Sequence, residues 1–488
     1  MKKLCSVIIL VFLILAQAGS VFSQNIFSEP ENEISWDLAV TRGFGSALLH
    51  GLIATAELMV PNYALMYFNQ LYGFYWAHVS FDSIRENLAI PGRWYWEYGD
   101  AFITNQVGHP YQGGLYVSAG RVNGFGFYES LFFGLLGSYH YEVFSATISP
   151  GVNDLIYTSV GGLVYGEILY RMYIEAHSRG VPAFLTFLIN PIAGLHRLIT
   201  PWEPPYTASS LHYMRFSLGS GYGHTSYKID THGDRFSFDG FFGNLALKII
   251  YGDPFQQETN RPYRHFEFQV GVGMNPGNYS DYRFTSDAYL MSFSPIQTER
   301  SKLSTGLSFS MDYFQLGEFT LGEFGPPDST INHASLTLGW SVKNQFQLSD
   351  NIILESKYLL GINLLGVSQF NHPDIPWVTQ AGILRHEFKN YGYGLTSRGS
   401  LTLIPFHQSR FEIDLYHYAM WTYPGTSPRI DSGFIFWQFI EISYIYNIYR
   451  NISLGVNCLL SLELGFFPGV PDTSKVNNSF KLFMAWNF

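Results

Sequence analysis

Charge is scarce in this chain, at 14% of residues against about 25% in soluble domains. The charges present form no basic cluster, which removes the usual grounds for expecting a nucleic-acid partner. Cysteine is nearly absent, with Cys5 and Cys458 the two in the sequence. Cys5 falls in an expected leader, so the mature chain would have no pair from which to close a disulfide. Past that leader no uninterrupted apolar run is long enough to cross a bilayer as a helix. Also missing are His-x-x-x-His, Gly-x-Ser-x-Gly and paired carboxylates at fixed spacing, so no zinc-hydrolase or serine-hydrolase signature is present. No metal or cofactor is expected.

What is abundant is aromatic: 42 Phe, 34 Tyr and 10 Trp. High aromatic content without a spanning helix points to a membrane β-barrel, whose lipid face needs an apolar side chain at every second position only. The N-terminus agrees with export. Lys2 and Lys3 precede the apolar run Val7–Leu15, and Val21-Phe22-Ser23 offers a cleavage site before Gln24, the pattern of a Sec signal peptide. No cysteine follows the apolar run closely, so a lipoprotein anchor is not expected. Taking Lys2 and Lys3 from the 28 basic residues leaves 26 against 38 acidic ones, a formal charge of −12.

The expected organisation is a signal peptide at 1–23, an apolar α-helical domain at 24–205 and a transmembrane β-barrel at 206–488. In the second part, Trp36–Val60 reads as a helix that Pro61 stops. Arg42, His50 and Glu57 fall within roughly an 80° arc of it, one polar stripe on an otherwise apolar rod. Arg42 and Glu57 lie too far apart along one helix to touch, so Arg121 or Glu129 are their expected partners. Asn62–Arg93 is a less regular aromatic segment. Tyr111–Gly120 and Phe127–Ala146 read as helices divided by an Asn123-Gly124 turn. Asp154–His177 follows with Asn153 as its cap and Glu167/Arg171 at i,i+4 spacing. Pro182–Leu198 is a weaker helix broken at Asn190-Pro191, and Pro201–Pro205 reads as a linker. Glycines along these helices predict close backbone approach in a compact bundle.

Few polar side chains interrupt this part, and they gather between residues 105 and 167. They are Asn105, Gln106 and His109 in the run Asn105–Gly114, then Arg121, Ser138 and Glu142, and Asn153-Asp154 after Pro150, ahead of Gly161-Gly162 and Glu167. The Asn-Gln…His-Pro-Tyr-x-Gly segment, the acidic residue after Ser138-Tyr139-His140-Tyr141, the Pro-x-x-Asn-Asp turn and the Gly-Gly…Gly-Glu helix resemble the core of the DUF3943 family of bacterial envelope proteins. Tyr141-Glu142 stands where that family usually has Trp-Glu, and Gly151 where Ser is usual. The resemblance is strongest over 100–170 and implies an envelope location; the family's function is unknown, so it implies no activity.

From about Leu211 the hydrophobic period changes from 3.6 to 2. Ile452, Leu454, Val456, Cys458, Leu460, Leu462 and Leu464 alternate with Ser453, Gly455, Asn457, Ser461 and Glu463. Ala334–Val342 alternates likewise with Ser335–Lys343, and Leu303–Tyr313 and Ile352–Leu364 repeat the pattern. These predict an antiparallel, apolar-out, polar-in barrel of about twelve strands, with ten to fourteen acceptable. Short turns (Ser349-Asp350-Asn351, Arg450-Asn451) alternate with longer connections (Gly317–Ile331, Phe370–Trp377). Phe480, Leu482, Met484, Trp486 and Phe488 share one face, the form of the terminal strand that barrel-assembly machinery reads. The expected address is therefore the bacterial outer membrane, with its lipid and that machinery as partners.

His109, Glu142, Asp154 and Glu167 are the candidates for chemistry, because an imidazole and carboxylates among aromatic residues can exchange protons. The plainer reading is a structural network: Asn105, Gln106 and His109 at helix ends, Glu142 and Asp154 on backbone N–H groups or Arg121, and Glu167 on Arg171. Two functions follow as expectations. One is a structural or transport-type barrel that the helices plug or cap. The other is an enzyme acting on lipid or envelope polysaccharide through His109 with Glu142 or Asp154. His212, His224, His232 and His265 read as isolated wall or loop residues.

Overall fold

The computed structural model describes residues 44–89, 94–96, 101–200, 202, 204, 211–229, 235–255, 261–274, 279–318, 331–371, 377–378, 384–385, 387–406, 408–425, 432–469 and 471–488. The expected signal peptide, the start of the Trp36 helix with Arg42, His232, most of the Pro201–Pro205 linker and the interiors of the long connections lie outside them. The chain divides into two compact units, residues 1–210 and 211–488.

The first unit is helical. Helix α1 runs Phe44–Leu71 and carries Pro61 inside it. This corrects the expected stop at Pro61: proline removes one N–H, and an apolar sequence on both sides keeps the helix going. After a single turn at Tyr75–Ala77 comes α2 (Phe81–Asn87), whose Ser80 and Ser83 cap each other's backbone. A π-helical turn, Thr104–Gly108, leads into α3 (His109–Val122). Helix α4 (Phe127–Phe144) follows a turn in which Gly124 takes φ +79°, as the Asn-Gly pair predicts. Then α5 (Val152–Ile156) passes through a second π turn, Tyr157–Gly161, into α6 (Gly162–Ser178). Helices α7 (Ala183–Ile189) and α8 (Pro191–Ile199) break at Asn190-Pro191, where the Asn190 side chain accepts from the Ala193 N–H.

Helix α3 is the centre of the unit. It runs parallel to the α5–α6 rod, since Gly113 meets Thr158 and Gly162, Val117 meets Gly166, and Arg121 lies over Tyr170. Ala54 and Leu58 of α1, Tyr116 and Ala119 of α3, and Tyr173 and Ile174 of α6 share one apolar core. Much of the outer surface stays apolar: Leu52, Tyr67 and Phe68 of α1 and Tyr128 and Phe132 of α4 are exposed.

The second unit is a closed antiparallel barrel of twelve strands. These are β1 (Leu211–Ile229), β2 (Arg235–Tyr251), β3 (Phe266–Met274), β4 (Tyr279–Gln297), β5 (Ser301–Glu318), β6 (Ile331–Ser349), β7 (Ile352–Asn371), β10 (Glu387–Pro405), β11 (Ser409–Thr422), β12 (Phe434–Tyr449), β13 (Ile452–Phe466) and β14 (Thr473–Asn487). The two-residue strands β8 (Trp377–Val378) and β9 (Leu384–Arg385) pair with each other between β7 and β10. Every long strand pairs with its neighbours in sequence, and β14 closes onto β1 with Phe216 opposite Trp486. Phe488 completes the seam by exchanging both backbone hydrogen bonds with Met214. Most strands exceed the ~10 residues that a tilted strand needs to cross a bilayer.

The predicted alternation is present. On β13, Ser453, Gly455, Asn457, Ser461 and Glu463 are buried, while Leu454, Val456, Cys458 and Leu460 are exposed. Phe480, Leu482 and Met484 face outward on β14. Turns at Asp350-Asn351 and Arg450-Asn451 are tight, the latter with Arg450 at φ 47°.

Candidate functional site

All ten polar residues singled out at 105–171 are buried, but the fold sorts them into separate groups. Helix α3 sets His109 beside α5, with Nε2 3.9 Å from Asp154 Oδ1. Asn153 donates to the same carboxylate oxygen at 2.7 Å, and Ser138 Oγ donates to the Asp154 backbone carbonyl at 3.5 Å. Asn153 therefore orients Asp154 from inside the helix and does not cap it; Gly151 holds the cap position. Glu142 accepts the Gly151 N–H at 2.9 Å, tying the end of α4 to the start of α5. Asn105 and Gln106 sit in the π turn, where no side chain caps a helix end. The geometry thus gives Glu142 a backbone N–H partner and places Asn105 and Gln106 in the π turn that leads into His109 at the start of α3.

More than three turns further along by the ~3.6-residue helical repeat, Glu167 receives two guanidinium groups. Arg121 Nε lies 2.9 Å from Oε2, and Arg171 Nε donates to Oε1 at 2.7 Å. Arg121 also donates to the Phe125 carbonyl and stacks over Tyr170. It was expected near Glu142 or Asp154; its partner is Glu167. Burial of all three side chains strengthens each contact and makes loss of one costly.

Two groups escaped the sequence reading. Glu57, expected near Arg121 or Glu129, instead accepts from Asn123 Nδ2 at 2.7 Å and meets His196 Nδ1 at 2.7 Å. Around Asn62, Gln112 donates to Asn62 Oδ1 at 2.9 Å, the Tyr116 hydroxyl donates to the same oxygen, and Asn62 Nδ2 reaches His140 Nδ1 at 3.1 Å. The Tyr63 hydroxyl closes on His140 Nε2. Burial pushes the Tyr116 hydroxyl well above the usual tyrosine range and holds the His140 imidazole below its ordinary value, so both stay neutral. Gln112 and Tyr116 at i,i+4 were the available signal; Asn62 and His140 lay too far off in sequence to join to them.

The barrel interior is the other candidate. Strands β4 and β12 lie six places apart in either direction round the wall, yet Arg283 Nη1 donates to Glu441 Oε1 at 2.7 Å. Arg283 also holds Asp281, which Lys481 of β14 reaches at 2.7 Å. Arg215 of β1 pairs with Glu412 of β11 at 3.1 Å, and Arg398 of β10 with Asp312 of β5 at 3.1 Å. Lys343 and Lys357 converge on Glu267 and Asp287, with His265 against Lys343. At the end bearing the long connections, Phe314, Tyr418, Trp437 and Phe439 pack across the lumen around His333, whose ring centre is 4.1 Å from Tyr418 and 4.2 Å from Trp437. Cavities of about 50 and 40 Å³ lie among the charges, each with room for ordered water. The interior is thus spanned by the wall's own side chains. Among the described residues no group of three His, Cys, Asp or Glu side chains is placed to hold a metal ion.

Residues 93–192 match the family described as "Domain of unknown function (DUF3943)". No curated protein matches the chain. Among solved structures, the toluene transporter TodX of Pseudomonas putida is similar at 10% identity, covering 57% of this chain and 90% of its own, with a TM-score of 0.22. A FadL homologue from Pseudomonas aeruginosa (9%, 56% and 90%, TM-score 0.24) and the NanC porin (9%, 56% and 98%, TM-score 0.24) are also similar. Scores this low carry no argument about cargo or mechanism.

Proposed function

We propose a transport-type outer-membrane barrel, with a match to the DUF3943 family over residues 93–192, whose resting lumen is closed by its own interior side chains. The observation that carries this reading is the Arg283–Glu441 contact between opposite walls. A constitutive aqueous pore keeps its inward charges in water, whereas here they bridge the lumen and are buried. The outward belt of Leu, Ile, Phe and Tyr along strands long enough to cross a bilayer supports the address.

In this reading the helical unit caps or plugs the barrel. Its exposed apolar side chains, Phe81 at 91% and Leu52 at 60% among them, favour a role in which that surface is covered. Planar-bilayer recording of the full chain is the test: rare openings on a silent baseline are expected, and steady ohmic conductance would overturn the closed lumen. A chain lacking residues 25–205 that folds and conducts like the full protein would end the cap or plug idea.

A second reading, an enzyme acting on lipid or envelope polysaccharide, rests on the His109–Asp154 approach at 3.9 Å. One small adjustment would bring that pair within proton-transfer reach. Glu142 is held by the Gly151 N–H, which leaves Asp154 as the partner for His109. His109→Ala would alter the envelope lipid or polysaccharide profile while the protein stays folded; an unchanged profile ends this reading.

A further inference from the structure

The lumen end that bears the long connections contains a second pattern beside its aromatic packing. His333 and Ser335 of β6, Asn363 of β7, Asn390 of β10 and Thr422 of β11 all point inward and are buried. Among the described residues, His333 Nδ1 and Nε2, Ser335 Oγ, both amide atoms of Asn363 and of Asn390, and Thr422 Oγ1 have no hydrogen-bond partner. These residues form one patch. Ser335 faces Gly366, Gly366 faces Gly392, and Gly392 faces Thr422 across four neighbouring strands, with His333 and Asn390 joined through Ser368. The two bare glycines let the wall carry neighbouring groups close in: a Cβ on Gly366 would lie 2.5 Å from the Asn363 amide and 2.6 Å from the Met420 sulfur.

Each buried polar group without a partner carries a desolvation penalty, and five on one patch are hard to reconcile with a purely structural wall. All five are uncharged in their ordinary neutral state, and together they offer donors and acceptors with no net sign. His333 packs against the rings of Phe314, Tyr418, Trp437 and Phe439, which brings one apolar cluster to the edge of the patch. Trp437 is held in orientation by its indole N–H, which donates to Glu463 at 2.7 Å. Amides and hydroxyls beside flat apolar faces match a ring that has hydroxyls at its edge and C–H groups on its faces. We propose that this patch is a binding site for a neutral saccharide. The imidazole of His333 lies between Tyr418 and Trp437, where the sugar ring would stack, so binding requires that side chain to swing aside.

The proposal deepens the transport reading, in which the solute passing the closed end is polar and uncharged. The test uses the full-length protein in detergent, titrated calorimetrically with maltotriose, mannotriose and galactobiose, and with a uronic-acid disaccharide as charged control. Asn363→Leu and Asn390→Leu replace each amide by an apolar side chain of similar size. At least one neutral sugar is expected to bind, the charged control to bind more weakly, and each variant to lose about tenfold in affinity. The variants should unfold at the same temperature or higher, because an apolar group does not need the missing partner. Failure of every neutral sugar to bind, or equal binding by the variants, overturns the site. Variants that melt lower and no sugar binding would show that the amides serve only internal water. Bilayer recordings keep the two readings apart: steady conductance with sugar binding intact removes the closed lumen alone.

Discussion

Gly113 and Gly162 touch through their backbones: a Cβ added to Gly162 would lie 2.5 Å from the Gly113 carbonyl carbon, and one added to Gly113 would fall 1.6 Å from the Thr158 carbonyl oxygen. Helix α3 and the α5–α6 rod can run side by side at this distance only because neither residue has a side chain. The approach fixes which residues meet further along, including His109 with Asp154 and Arg121 with Glu167.

Gly113→Ala and Gly162→Ala should therefore be among the most damaging small changes in the chain. The atoms in the way are backbone, which cannot rotate aside, so the helices must separate along the whole crossing. Overpacking of this kind costs on the order of 3 kcal/mol. Limited proteolysis of the full protein, followed over residues 101–200, would register the loss. Gly180→Ala is the control for its open surroundings, although its φ of +72° brings some strain of its own. Equal protease resistance in Gly113→Ala and the parent would refute the close crossing.

The barrel was legible because a strand's inward or outward sense depends on its own sequence. Leu454, Val456, Cys458 and Leu460 announce one face whatever lies across the lumen. The lumen was not legible, because Arg283 and Glu441 are 158 positions apart and only closure of twelve strands brings them together. The helical unit lies between these cases. The i,i+4 pair Glu167/Arg171 could be read directly, whereas Asn62 finds its partners 50 to 78 residues away. Pro61 misled for a local reason: a proline usually ends a helix, but α1 carries enough apolar contact on either side to run through it.

Glu167 holds Arg121 and Arg171 together away from water. Glu167→Ala leaves two guanidinium groups facing each other without the carboxylate, and the cost should reach about 3–5 kcal/mol. Glu167→Gln keeps the shape and loses the charge, so it should fall between Ala and the parent. Denaturant midpoints of the three proteins give the order. Gln as damaging as Ala would mean that the charge, and not packing, carries the whole effect; Ala equal to the parent would remove the argument.

His140 is held neutral by burial, with its imidazole below its ordinary value. The unfolded chain takes up a proton near pH 6.5 while the folded chain does not, so the stability it contributes is present above that pH and declines as the pH falls below it. His140→Gln keeps a polar group beside Asn62 and Tyr63 and removes the titration. Comparing unfolding midpoints at about pH 8 and about pH 5, the parent should lose more stability on acidification than the variant. An identical loss in both would exclude His140 as a contributor.

The contact between Arg283 and Glu441 makes the sharpest demand on the closed lumen. Removing one partner leaves a buried charge whose remaining neighbours are Asp281 and Lys481 on one side, or Asn457 on the other. Glu441→Arg places two cations against each other across the barrel, and repulsion with the return of water should open a conducting path. Arg283→Glu does the same with three carboxylates. Combining the two reversals restores opposite signs at the same distance, though Asp281 then faces a like charge at position 283. Conductance should therefore rise strongly in each single variant and fall back, incompletely, in the double. Because the contact joins opposite walls, it acts as a strut across the lumen. If both single variants fold, as judged by heat-modifiable gel mobility, and neither conducts more than the parent, the lumen is sealed elsewhere. The packed rings around His333 would then be the barrier to remove next.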